Sequence, residues 1–420
     1  MNPKTEAQTQ AEVARLTARH ALGWLVAANA VGVLMAVLLI WPGLNGVLGA
    51  CTYGRWVPLH LDWQLYGWCA LPLVAALLVW CLDTRHPQAV GQARFALGAW
   101  SVALLLGGVA WLGGVSSGKP FLEWSGWARP VLPWAMAALW SILAAHTWWR
   151  RKDLGRGELR ARWLVLAALA VVPAVLHWSA GRDVYPSVNP DSGGATGSRL
   201  LASTLGIVAI YGFLAEILQI TRGPVRRWFW GYFIFSAAVC GGIERGNASH
   251  HEWAQVLGLA TLLGWLPLAW IYFGNGTGRA EAKRWWGAAF GWWALLVASG
   301  FWTFLPGILE RLKYTNAMVG HAHLAMAGLV TCANMAVLIE LRGVGATRGF
   351  WLWQVACGAH VAALVALGYV ESGHAAELYF AAPWTQAIYA VRLATGGVML
   401  LVAVWWWRDA GGEKRKMSAS

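Results

Sequence analysis

Stretches of about 20 apolar residues recur from one end of this 420-residue chain to the other, and that recurrence leaves few folds open. In a bilayer each stretch can cross as a helix that satisfies its own backbone hydrogen bonds. Twelve are legible, at roughly 21–41, 60–82, 95–114, 130–148, 162–180, 199–220, 227–246, 252–274, 285–305, 319–341, 349–370 and 385–407. Little is left over for a soluble domain. The expected fold is therefore all-α, a polytopic membrane protein built as one twelve-helix bundle. Residues 1–420 read as a single integral membrane domain with a polar head at 1–20 and a polar tail at 408–420. The first stretch is too long for a signal-peptide core and reads as an uncleaved span.

The formal charge of +13 invites a nucleic-acid partner, but its distribution points elsewhere. With the N-terminus in the cytoplasm, 23 of the 32 Lys and Arg fall in inner segments, eight in outer ones, and Arg392 within a span. That bias is the positive-inside rule. It predicts a multi-pass protein of the bacterial inner membrane, embedded in the lipid bilayer, with both termini cytoplasmic and no nucleic-acid partner. Many of the 32 Trp flank the spans, as in Trp148-Trp149, Trp285-Trp286 and Trp405-Trp406-Trp407, and read as an interfacial belt. The six cysteines form no C-x-x-C pair and no covalent heme motif, so they read as small apolar residues of the bundle. No internal repeat is visible.

Histidine within a membrane is costly and usually functional. Of the eleven, His20, His86 and His146 fall near the inner interface and read as solvated, and His360 falls mid-span. The other seven (60, 177, 250, 251, 321, 323 and 374) fall on the outer side. His321 and His323 open the tenth span in Val-Gly-His-Ala-His-Leu. Two helical positions apart is a turn of about 200°, so the two rings point to opposite flanks. A single tetrahedral metal wants its ligands on one face, whereas opposed rings at one depth suit two cofactors, with imidazole an axial ligand for heme iron. Two interfacial histidines bonded to neighbouring helices is the alternative reading. His60 opens the second span at the same depth and is placed to supply a second axial ligand. Gly67 and Gly328 are small residues nearby that let a planar ring approach.

This pattern resembles subunit I of the heme-copper oxidase superfamily, and within it the cbb-type oxidases and the related nitric oxide reductases. The resemblance rests on Arg55-x-x-Pro58-Leu59-His60 in the second span and Gly320-His321-Ala322-His323 in the tenth. Further matching text is Thr204-Leu205-Gly206, Trp253-Ala254-Gln255, Leu257-Gly258 and Leu266-Pro267, so that it covers about residues 50–345. It implies that His60 and His323 hold a low-spin heme b. His321 would hold a high-spin heme b and so be the catalytic ligand.

The same resemblance calls for copper, held by one histidine of the sixth span and a His-His pair of the seventh. Ungapped counting puts Gly193 at the first position, and Ile243 and Glu244 at the pair. His250-His251 lies seven residues later, before Glu252-Trp253. Either a shifted loop brings His250 and His251 to a second metal, or the pair is an ordinary loop feature. Copper wants three nitrogen ligands, and at most two are on offer, so the copper-free reading is preferred. Glu244, a carboxylate at a ligand position, would suit non-heme iron better than copper. The helix-7 segment Ser236-Ala237-Ala238-Val239-Cys240 lacks the tyrosine of the cbb-type enzymes. Glu216 and Glu340 sit near inner ends of spans, where they could begin a proton path or simply be interfacial.

The leading expectation is a heme-b respiratory electron-transfer protein whose high-spin heme can bind O2 or NO. Its partner would be a c-type cytochrome subunit or another periplasmic electron donor. The alternatives are a working terminal oxidase or nitric oxide reductase using His250 and His251 at its second metal, and a non-redox assembly or gas-sensing protein.

Overall fold

The computed structural model describes residues 3–181, 183–184, 197–221, 223–244, 248–274, 278–345, 348–373 and 382–412, which contain helices and no strand. The principal helices are α1 (Pro3–Ile40), α2 (Tyr53–Cys81), α3 (Ala89–Leu112), α4 (Val131–Trp149), α5 (Arg156–Ser179) and α6 (Gly197–Ile217). They continue with α7 (Val225–Ile243), α8 (Trp253–Gly274), α9 (Ala280–Thr303), α10 (Asn316–Glu340), α11 (Phe350–Glu371) and α12 (Pro383–Gly412).

Ten of these are long and apolar enough to cross a membrane, where the sequence suggested twelve. The other two, α7 and α9, have 19 and 24 residues and coincide with expected stretches. Basic residues at their starts (Arg226, Arg227, Lys283, Arg284) and repeated Trp and Gly hold their hydropathy down.

The helices pack as two compact units. The first is Met1–Ser187, Val337–Gly349 and Met399–Ser420; the second is Val188–Ala336 and Phe350–Val398. In the first, α1 lies along α2 and α3, and α4 packs on α3, α5 and the last part of α2. In the second, α8 packs on α6, α7 and α9, α9 on α10, and α10 on α11.

Each unit contains the same local device. Trp63–Cys69 of α2 and Leu324–Val330 of α10 are π-helical. A π turn disturbs the regular ladder and leaves backbone carbonyls in need of partners. Trp100 of α3 donates its indole N–H to the Tyr66 carbonyl at 2.8 Å, and Trp353 of α11 donates to the Ala327 carbonyl at 3.0 Å. The next residue in each case is glycine. A Cβ on Gly67 would lie 2.6 Å from Trp24 of α1, and one on Gly328 would lie 2.6 Å from Trp292 of α9. The planar rings that these glycines admit are therefore indoles, where the sequence suggested a macrocycle.

The parallel extends to the histidines. Eight residues after Trp24 and Trp292 come Gly32 and Gly300, whose Cβ atoms would lie 2.8 Å and 3.3 Å from Cε1 of His60 and His321. His60 and His321 each precede their π-turn glycine by seven residues. Helices α1–α3 and α9–α11 thus repeat one arrangement of Trp, Gly, His, capped carbonyl, Gly and Trp, which corrects the reading of a repeat-free chain. The six positions are scattered from Trp24 to Trp100 and from Trp292 to Trp353, too thinly to register as similar text.

The tryptophan belt is only part of the story. Trp148, Trp149, Trp405 and Trp407 are exposed, but Trp285, Trp286 and Trp406 are buried, and Trp406 donates to the Arg348 carbonyl at 2.8 Å. Polar indole edges here cap backbone carbonyls that no water would reach. His146, expected to be solvated, is fully buried: its Nδ1 accepts the Asp83 amide at 2.9 Å and its Nε2 donates to Gln92. Two of the cations expected on the outer side likewise serve the fold. Lys119 donates to the carbonyls of Ser179 and Gly181, and Arg129 to that of His177 at 2.6 Å, so both close the C-terminal end of α5.

The glycine seats give a direct test. Gly328→Ala drives a Cβ into the root of the Trp292 ring, so it should destabilise the protein by about 1–3 kcal/mol. Gly287→Ala, on the same helix as Trp292 with nothing within 4 Å, should be neutral or mildly stabilising. Thermal unfolding midpoints in detergent compare the two; equal midpoints would remove the seat from the packing argument.

Candidate functional site

His60 and His323 share a hydrogen-bonding pattern that sets which ring nitrogen carries a lone pair. His60 Nδ1 lies 2.9 Å from the Ala28 carbonyl of α1, and His323 Nδ1 lies 2.8 Å from the Val319 carbonyl one turn back in α10. A carbonyl only accepts, so Nδ1 is the N–H in both rings and Nε2 is the basic nitrogen of the neutral imidazole. His321 Nδ1 meets Ser299 Oγ at 3.2 Å, and that hydroxyl donates its own proton to the Leu296 carbonyl. The Ser299 hydroxyl thus bridges His321 and the Leu296 carbonyl, and holds the His321 ring in place. An N–H fixed to an oxygen on one side and a basic nitrogen on the other is the usual state of a histidine that binds metal.

The two histidines of α10 do face different helices. His321 lies against Ser299, Gly300 and Phe304, its ring centroid 5.8 Å from that of Phe304. His323 lies against His360 of α11, with ring centroids 4.8 Å apart and planes inclined by 39°. His360 Nδ1 donates to Thr395 Oγ1 of α12 at 2.8 Å, the role of a bundle hydrogen-bonder. All three ring systems are packed by neighbours within their own unit. His60, His321 and His323 keep partial exposure, which buried structural histidines such as His146 do not.

The loop histidines are brought together with a residue that the sequence did not single out. His250 Nε2 lies 2.6 Å and His251 Nε2 2.7 Å from the same oxygen, Oε1 of Glu310. His250 is buried and His251 exposed. Glu310 sits in the short turn Leu309–Leu312 between α9 and α10, 60 residues from His250. Only the tertiary fold makes them neighbours. Glu244 turns elsewhere, accepting a bond from Ser198 Oγ at 2.5 Å. Gly193 and His374 lie outside the described residues.

A second carboxyl, this one buried, also escaped the sequence reading. Asp62, two residues past His60, is fully buried, and its Oδ1 receives the Glu123 amide at 3.4 Å. Glu216 is engaged by Arg226 at 2.8 Å, Tyr272 at 3.0 Å and Trp230 at 3.2 Å, which gives it a structural task.

Fold and site together define a multi-pass helical membrane protein with histidines seated at the start of two of its helices. No protein-family model matches the sequence. Three curated bacterial proteins do resemble it along most of its length. The cytochrome c oxidase subunit 1 homolog, bacteroid, of Bradyrhizobium diazoefficiens is 22% identical over 92% of this chain and 70% of its own length. The Cbb3-type cytochrome c oxidase subunit CcoN1 of Stutzerimonas stutzeri is 24% identical over 81% and 77% respectively. A cytochrome c oxidase subunit 1 homolog of Azorhizobium caulinodans is 21% identical over 92% and 69%. The chain is a heme-copper oxidase subunit I-like protein.

The Glu310 anchor has a pH signature. Burial disfavours its charge, but hydrogen bonds from His250 and the Gly307 amide outweigh this and hold its carboxyl down to about 2. A depressed carboxyl contributes stability above its ordinary value of 4.5, and that contribution is lost as pH falls through about 2. The gap in thermal midpoint between the native chain and Glu310→Gln should therefore shrink as pH drops across this window. A gap indifferent to pH would show that the carboxylate charge contributes nothing there.

Proposed function

We propose that this protein is a heme-b component of respiratory electron transfer, in which His60 and His323 would hold a low-spin heme and His321 a high-spin heme. The observation that supports the proposal is the tautomer of His60 and His323: each donates Nδ1–H to a backbone carbonyl, which leaves Nε2 as the basic nitrogen. The likeness to cytochrome c oxidase subunits supports the same assignment. The hemes, when bound, would supply a one-electron couple, and the one held by His321 would supply a position for O2 or NO.

The chain's own residues then do three things. The Ala28 and Val319 carbonyls fix ring orientation and tautomer at His60 and His323. Ser299 holds the ring of His321. Gly32 and Gly300 let the rings of His60 and His321 sit close against α1 and α9, which limits their rotation. The lysine and arginine distribution supports an orientation with both termini in the cytoplasm and the histidine ends of α2 and α10 toward the outer face. A c-type cytochrome subunit or another periplasmic donor would deliver electrons there.

The copper-free reading is supported by chemistry and by sequence. His250 and His251 engage a carboxylate, and the third imidazole that copper wants is replaced in the sequence by Gly193. The segment Ser236–Cys240 of α7 holds no tyrosine.

Absorption and paramagnetic resonance spectra of the purified chain test this. By the resemblance, His60 and His323 belong to one iron, so a bis-histidine low-spin signal should vanish in His60→Ala and in His323→Ala alike. Heme content should fall from about two to about one per chain in each. His321→Ala should keep the low-spin signal and lose the high-spin one. A purified chain with no heme signal would end the proposal.

A further inference from the structure

We infer that His250, His251 and Glu310 form a binding site for a borderline divalent cation of the zinc class, clamping the α7–α8 connection to the α9–α10 connection. The inference is independent of the heme assignments.

The donors are two imidazoles and one carboxylate. This set suits zinc(II), which is commonly held by three protein ligands of this kind with water in a fourth position. One ligand atom from each residue lies within 4.8 Å of the others. A tetrahedral site with bonds near 2.0–2.1 Å needs donors about 3.3 Å apart, so small side-chain shifts close it. The geometry converges in a way that ordinary ion pairing does not require. Both imidazoles aim Nε2 at the single oxygen Oε1, although a carboxylate has two oxygens to share. The second oxygen, Oε2, accepts the Gly307 amide at 2.7 Å, which holds the carboxylate with Oε1 toward the histidines. The two rings stand 4.2 Å apart at 39°.

Burial is asymmetric. His250 is 4% exposed, whereas the His251 side chain is 60% exposed and that of Glu310 33%. One ligand is thus fixed in the fold, and the other two border solvent and leave an entry path. On binding, the metal replaces the N–H···O bonds at both Nε2 atoms, and each imidazole must present Nε2 without its proton. That proton moves to Nδ1 of the ring or to solvent, and no electron is transferred. The clamp joins Ser249–Glu252, which leads into α8, to the turn Leu309–Leu312, which leads into α10.

The test uses the full-length chain in detergent, stripped with a chelator and dialysed against zinc chloride. About one zinc per chain should be retained, with X-ray absorption at the zinc edge showing a nitrogen and oxygen shell that includes two imidazoles. His251→Ala and Glu310→Gln should each weaken zinc binding by about 10–100-fold. Both residues are accessible, so neither change empties a core. Heme absorption should be the same in these variants as in the native chain. Sub-stoichiometric zinc, or zinc held equally well by both variants, overturns the site. Loss of the heme spectrum together with zinc overturns the clamp in favour of a metal coupled to heme. A chain without heme that still binds one zinc through these residues upholds the site while ending the heme proposal.

Discussion

An indole N–H donated to a carbonyl within a π-helical turn is the bond around which both halves of this molecule are arranged. Inside a bilayer a carbonyl without a partner is expensive, so a helix can leave its regular ladder only where a neighbour supplies a donor. Trp100 and Trp353 supply it to Tyr66 and Ala327. Once the turn is tolerated, Gly67 and Gly328 bring Trp24 and Trp292 against the backbone, and helices α1 and α9 approach closely enough to seat a histidine ring on Gly32 or Gly300. The histidines are thus placed by packing several turns away from them. π turns often mark functional positions for this reason: they re-aim what precedes and follows them.

The second layer is electronic. An imidazole in a membrane is useful as a ligand only if its tautomer is fixed, and here the carbonyls of Ala28 and Val319 fix it from Nδ1 of His60 and His323. Backbone carbonyls serve well, because they cannot donate and so cannot reverse the pattern. The loop pair works differently. His250 and His251 bring their Nε2 atoms to one carboxylate, so they offer a mixed nitrogen and oxygen set in place of an imidazole cage.

Much of this was legible in the amino-acid order. Apolar runs of bilayer length are a one-dimensional signal, and ten of the helices observed are long and apolar enough to cross a membrane. The spacing of His321 and His323 announced that their rings diverge, because helical twist is a local property. The misreadings have one cause. His146 seemed solvated because it lies near a span end, yet a corner formed with Asp83 and Gln92 encloses it. Glu244 seemed a candidate ligand by counting, but its orientation is decided by Ser198, 46 residues away.

The sequence by itself determined that the chain is helical, spans a bilayer many times, and carries histidine near the start of the second and tenth spans. Those properties depend on each segment's own composition and period. Only the tertiary structure decided which glycines seat indoles, that α1–α3 and α9–α11 repeat one arrangement, and that Glu310 rather than Glu244 stands beside His250 and His251. Those outcomes depend on which helices become neighbours, and contacts between residues tens of positions apart leave no periodic trace in the text.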